Sequence, residues 1–172
     1  MSAATPAGTG PDYGAFYRRE LPAMVALAAA VTGSHLVAED IAQEAMVRAY
    51  RRWNRVGAYD KPGAWVRRVT INLALSTRRR AASEVKARLR LGSEPSLTAA
   101  PSDHDDVWAA VRRLPGQQRA AVALHYLEDR PVAEIAEILG CAESTAKVHL
   151  HRGRTTLAEA LDDRDGRRGA ER

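Results

Sequence analysis

Asp40, Gln43 and Glu44 stand three and four residues apart in "AEDIAQEAMVRAYRRW", residues 38–53, so a helix there carries all three on one face. That face repels phosphate. The chemistry reverses directly afterwards: between residues 48 and 90 come Arg48, Arg51, Arg52, Arg55, Lys61, Arg67, Arg68, Arg78, Arg79, Arg80, Lys86, Arg88 and Arg90, opposed only by Asp60 and Glu84. Cations at that density suit an anionic partner. The loop "NRVGAYDK", residues 54–61, adds Tyr59 and is flanked by Trp53 and Trp65. Aromatic rings beside arginine stack unpaired bases for about 1–3 kcal/mol each while guanidinium groups hold the backbone. The loop is the sharper candidate for a single strand, because Trp53 and Trp65 suit a helical core at least as well.

A second cationic surface lies in "PVAEIAEILGCAESTAKVHLHRGR", residues 131–154. Ile135, Ala136 and Leu139 give a first helix its inner face, and Gly140 supplies a turn compatible with positive φ. Ala146, Leu150, Gly153 and Leu157 repeat at helical spacing to seat a second helix, as in a helix-turn-helix. The outward set is then Ser144, Thr145, Lys147, Val148, His151, Arg152 and Arg154, a mixture of phosphate-contacting and base-edge chemistry. Ala142 stands where a capping Ser or Thr is expected, and such a cap is worth about 1 kcal/mol. Cys141 reads as a small apolar residue. His149 and His151, two apart, point to different sides of a helix and do not form a metal pair.

The elements that position these groups are helical throughout. Alanine, leucine, arginine and glutamate dominate the periodic stretches, and neither period-two alternation nor an Asn-Gly or Asp-Gly turn marks a hairpin. The pattern predicts an all-α protein with helices near 12–31, bent or restarted at Pro22, near 35–54, and at 62–80 with an extension through 82–90. "LGSEPSLTAAPS", residues 91–102, breaks every stripe and marks a flexible linker between two small helical domains, 12–90 and 103–161. Ser102 and Asp105 suit the start of a helix at 103–113, and Pro115 the first turn of one at 115–128. Helices near 132–139 and 142–161 follow. The tail, 162–172, mixes charges without apolar anchors and reads as disordered.

Composition narrows the function classes. The chain has 172 residues, a net charge of +5, 45% hydrophobic residues and one cysteine. It is long enough to bury cores, lacks an internal disulfide framework, and shows neither zinc-site spacing nor a signal peptide or membrane span. A cytoplasmic location is expected. The five histidines are scattered, no Walker-type glycine loop is present, and no nucleophile has a plausible partner. The reading therefore calls for no catalytic residue, no metal, no cofactor and no small-molecule substrate. A helix-turn-helix regulator acting alone is the alternative, but it has no use for the acidic trio and normally pairs through a dimer interface.

Four stretches in order, "AEDIAQEAMVRAYRRW", "AWVRRVTINLALSTRRR", "LPGQQRAAVALHYLEDRPVAEIAEILGC" and "STAKVHLHRGR", resemble the two blocks of extracytoplasmic-function sigma factors of bacterial RNA polymerase, over roughly residues 14–161. The resemblance implies a promoter-recognition subunit with a region 2 helical bundle (12–90) and a region 4 helix-turn-helix (103–161). It implies that Asp40, Gln43 and Glu44 dock on a coiled coil of core polymerase. It assigns Asn54, Arg55, Tyr59, Lys61, Arg68, Asn72, Arg78, Arg79 and Arg80 to −10 DNA binding and melting. Thr145, Lys147, Val148, His149, His151 and Arg152 fall where the family reads the −35 element. Ser76 and His149 depart from the Asp and Arg common in relatives. Implied partners are core RNA polymerase, promoter DNA and an anti-sigma factor, with no membrane insertion.

Overall fold

The computed structural model describes residues 12–90 and 105–170, and among these every regular element is a helix. The first half holds α1 (Tyr13–Thr32), α2 (His35–Arg51), the single turn α3 (Trp53–Val56) and α4 (Pro62–Arg90); the second holds α5 (Asp105–Arg113), α6 (Gly116–Glu128), α7 (Val132–Leu139) and α8 (Glu143–Ala170). The expected linker, 91–102, and the expected Ser102 cap lie outside the described residues.

Local chemistry accounts for most boundaries. Asp12 caps α1 by accepting from the Gly14 N–H at 2.8 Å, and Gly33 ends it at φ 81°, a left-handed conformation that costs glycine little. Ser34 then caps α2. Pro22 neither restarts nor divides α1, which is one helix from Tyr13 to Thr32. The proline sits on the exposed side, where the carbonyl left without its partner meets water, while Phe16, Met24 and Leu27 bury the opposite face. Tertiary packing here outweighs a local breaker.

Alanine sets how closely the helices approach. Ala28, Ala38, Ala42, Ala45 and Ala49 are fully buried along α1 and α2; Ala42, Ala45 and Ala49 close the first core with Phe16, Met24, Met46 and Val66, while Ala28 and Ala38 belong to the second. Trp53 and Trp65 pack against it, so both are core-edge residues; Trp53 lies 4.8 Å from the Phe16 ring and 5.2 Å from Tyr13.

The second apolar cluster crosses between the halves. Leu27, Val31, Ile71 and Ala74 from α1 and α4 join Leu114, Leu124, Ile135, Ile138, Ala146 and Leu150 from the later helices. The two halves are therefore packed face to face. α8 also continues to Ala170, beyond the helix end expected near 161. Nothing after Leu161 forbids a helix, since Gly166 and Gly169 each cost only about 1 kcal/mol relative to alanine and no proline intervenes.

Candidate protein and nucleic-acid interfaces

α2 separates its two faces cleanly. Ala38, Ile41, Ala42, Ala45, Met46 and Ala49 are buried, whereas Asp40, Gln43 and Glu44 are all exposed. The acidic trio is joined by apolar groups that periodicity assigned only in part: Leu36 is 74% exposed, Val47 40% and Tyr50 65%. Tyr50 was expected on the packed half; it touches the Tyr13 ring at 5.0 Å but stays mostly in solvent. A helical projection places it at the boundary, and contact with one neighbour decided the side. Glu44 pairs with Arg48 at 2.7 Å.

The residues assigned to the −10 strand fall into three places. Asn54 and Arg55 are exposed on α3. Tyr59, Lys61 and Arg68 come together around a cavity of about 480 Å³, completed by Ala58, Asp60, Ala64, Trp65 and, from the other half, Glu137. Asn72 lies one turn beyond Arg68 on the exposed side of α4, and Arg79 and Arg80 are exposed further along it. Arg78 parts from them. It is half-buried and donates to the Val31 carbonyl at 3.2 Å, and burial, with the nearby Arg112 charge, lowers its pKa.

Two arginines have structural duties that composition did not separate from the rest. Arg67, 5% exposed, donates to Glu20 at 2.8 Å and to Glu128 of α6. Arg119, 2% exposed, gives its whole fork to carbonyls: Val111 at 3.0 Å, Val31 at 2.6 Å, Leu114 at 2.6 Å, and Arg112. The available signal was position, because Arg119 falls on the same inner row as Ala120 and Ala123 rather than on a polar face.

The ion pairs carry a pH dependence. Burial opposes the Glu20 charge, but hydrogen bonds from Arg19 and Arg67 outweigh it and lower the carboxyl pKa. The Glu134 pKa is lowered by hydrogen bonds from Lys61 and Arg130. A depressed native pKa gives stability that is present above the ordinary carboxylate range, near about 4.3, and lost as pH falls through the native value. Urea midpoints are therefore expected to hold from neutrality to about pH 5 and to fall below about pH 4. Glu20→Gln should flatten that fall; an unchanged acid limb in this variant would remove the bridge as its source.

The helix-turn-helix forms as its spacing predicts. Gly140 adopts φ 68° and the Cys141 N–H bonds the Ala136 carbonyl at 3.0 Å, turning the chain from α7 into α8. Ala146 and Leu150 are buried, and a Cβ on Gly153 would lie 2.7 Å from Val122, so only glycine lets α8 sit this close to α6. Ile138, which the sequence reading passed over, is buried beside Ile135 and Ala136. Thr145, Lys147, Val148, His151 and Arg152 all face solvent, and His149 is half-buried. Arg154 turns aside to His125 Nε2 at 2.7 Å and stacks over Tyr126 at 5.5 Å.

An acidic-apolar face in the first half and an exposed helix-turn-helix in the second match two known family descriptions: Sigma-70 region 2 over residues 16–84, and Sigma-70, region 4 over residues 104–157. They define a sigma-70-type transcription initiation factor. Within that class, the chain belongs to the extracytoplasmic-function (ECF) sigma factors of RNA polymerase. It is 31% identical to the ECF RNA polymerase sigma factor SigM of Mycobacterium tuberculosis, over 94% of this chain and 83% of that one. To the ECF RNA polymerase sigma factor SigW of Bacillus subtilis it is 28% identical, over 73% and 76% of the two chains. Among solved structures, it resembles the sigma factor RpoE of Bartonella quintana, in complex with the anti-sigma factor NepR, with TM-score 0.71, 28% identity, and coverage of 88% and 97%. Membership favours a sigma factor over a helix-turn-helix regulator acting alone. Among the described residues, no helix is long and apolar enough to cross a membrane.

Proposed function

We propose that this chain docks on core RNA polymerase through the outer face of α2 and recognises promoters with two separate cationic surfaces. Asp40, Gln43 and Glu44 make the protein contact. Thr145, Lys147, Val148, His149, His151 and Arg152 read the −35 duplex from α8. Asn54, Arg55, Tyr59, Lys61, Arg68, Asn72, Arg79 and Arg80 hold the melted −10 strand, while Arg78 stays with the Val31 carbonyl. The single observation that carries this reading is the separation of sign, with exposed carboxylates on α2 and an exposed cationic row on α8.

Melting costs stacking of about 1.4 kcal/mol per base step. Without a phosphate-binding glycine loop to couple ATP hydrolysis, the opening is driven by capture of extruded bases, with polymerase supplying most of the surrounding contact. The chain is then no enzyme; RNA synthesis belongs to the polymerase it recruits. It acts in the cytoplasm, and an anti-sigma protein is its inhibitory partner, as the solved complex of the Bartonella relative suggests. The domain limits follow the same division, region 2 over 12–90 and region 4 over 103–161.

Substitution separates the two DNA surfaces. Arg152→Ala is expected to cost about 1–3 kcal/mol of −35 duplex binding, seen by gel shift, and Lys147→Ala to weaken it in the same assay. Asn72→Ala should leave duplex binding intact and reduce permanganate reactivity of the −10 region in holoenzyme. Equal defects of both kinds in every variant would refute the division of labour.

A further inference from the structure

The far end of α4 carries a serine behind three arginines. Arg78, Arg79 and Arg80 precede Ser83 by five, four and three residues in "RRRAAS". Protein kinases choose serines by the charges that flank them, and an arginine three places upstream is what an acidic peptide cleft selects. Asn72, Ser76, Arg79, Arg80, Ser83 and Lys86 also repeat at helical spacing, so they form one stripe along α4. Ser76, Arg79, Arg80, Ser83 and Glu84 border an open concavity of about 410 Å³. Glu84 is the carboxylate on that rim, and among the described residues Arg79, Arg80 and Lys86 have no ion-pair partner.

Ser83 is also accessible to an enzyme. Ala74 is the last fully buried residue described on α4, and every side chain from Arg79 to Ala87 is exposed. These turns are held by their own hydrogen bonds, without a packed face, and such segments unwind at small cost. The Ser83 hydroxyl donates to the Arg79 carbonyl at 2.9 Å, a back-bond that further weakens a helix. Thr155 is the contrast. Arg152 stands three residues before it, but Leu150 and Gly153 anchor that turn of α8 in the core.

We propose that Ser83 is a phosphorylation site for an arginine-directed protein serine kinase, and that phosphoserine there withdraws α4 from the −10 strand. The hydroxyl oxygen forms a bond to the γ-phosphorus of ATP as the bond from that phosphorus to the β–γ bridging oxygen breaks; ADP leaves, and the hydroxyl proton passes to the kinase's base. The product carries about −1.5 to −2 charges and lies within a helical turn of Arg79, Arg80 and Lys86. Charge-assisted bonds to those cations consume groups assigned to the DNA backbone, and the remaining negative charge repels the strand. The proposal rests on the −10 reading of Arg79 and Arg80. Docking through α2 and duplex reading through α8 lie on other helices and stay available.

The test uses the full chain, radiolabelled ATP and a soluble extract of the cells that make it, followed by mapping of the labelled peptides. Label is expected at Ser83, lost in Ser83→Ala and about tenfold weaker in Arg80→Gln; both positions are exposed, so either exchange leaves the fold in place. Thr155 should stay unlabelled. Chain carrying phosphoserine at position 83, placed there during translation, is then joined to core polymerase. Its affinity for a randomised pool of short single-stranded DNA is expected to fall about tenfold, and the salt slope of that binding by about 1, while −35 duplex binding and core retention hold.

An unlabelled Ser83 overturns the proposal, as does label confined to Ser93, which lies outside the described residues and follows Arg90 by three. Unchanged strand affinity of the phosphorylated holoenzyme overturns it too. The −10 reading then survives if Arg79→Gln combined with Arg80→Gln lowers that affinity, and falls with the proposal if the double variant binds as the native chain does.

Discussion

Asp40→Arg combined with Glu44→Arg is expected to weaken binding to core RNA polymerase about a hundredfold, equivalent to about 3 kcal/mol. Both side chains are exposed on a helix whose opposite face is packed with alanine, isoleucine and methionine, so the exchange leaves the fold in place. What changes is the sign of the charge offered to the partner, and like charges brought together at an interface cost far more than a lost surface pair. Leu36, Val47 and Tyr50 beside the trio supply apolar area, so Asp40→Ala alone should weaken retention less than the double reversal. Co-purification with core polymerase measures the effect, and a thermal melt checks the fold. Full retention of the double variant, with an unchanged melt, would show that α2 is not the docking face.

Arg119→Met is expected to destabilise the protein by about 3–5 kcal/mol, since buried carbonyls left without donors cost about 1–3 kcal/mol each. The Arg112 carbonyl in the last turn of α5 and the Leu114 carbonyl just after it depend on its fork, and so does Val31 at the end of α1, where a cation also complements the helix dipole. Arg78 reaches the same Val31 carbonyl and retains part of that contact. Lysine should not rescue the loss, because a single ammonium cannot span acceptors that a planar guanidinium holds together. Urea unfolding of the Met and Lys variants tests both statements; a loss under 1 kcal/mol for either variant would contradict them.

Arg119 also shows where sequence reasoning stops. Thirteen basic residues between 48 and 90 look alike on the page. In the structure Arg79 and Arg80 face solvent, Arg67 is sealed between two glutamates, and Arg68 and Arg78 reach backbone carbonyls of other helices. Charge and spacing tell which way a residue faces on its own helix, but not whether another helix lies there. Tyr50 and Pro22 are the same lesson at smaller scale, each decided by what packs alongside.

The sequence by itself determined what depends on near neighbours along the chain: the all-helical class, the acidic α2 face, the glycine turn at Gly140, and the Ala146, Leu150 and Gly153 row that seats α8. These follow from helical periodicity and local turn chemistry, which act within a few residues. The tertiary structure alone decided the meeting of the two halves, the cavity shared by Lys61, Arg68 and Glu137, and the buried duties of Arg67 and Arg119. Lys61 and Glu134 are separated by 73 positions. Their encounter depends on how two cores pack against each other, and no local pattern encodes that.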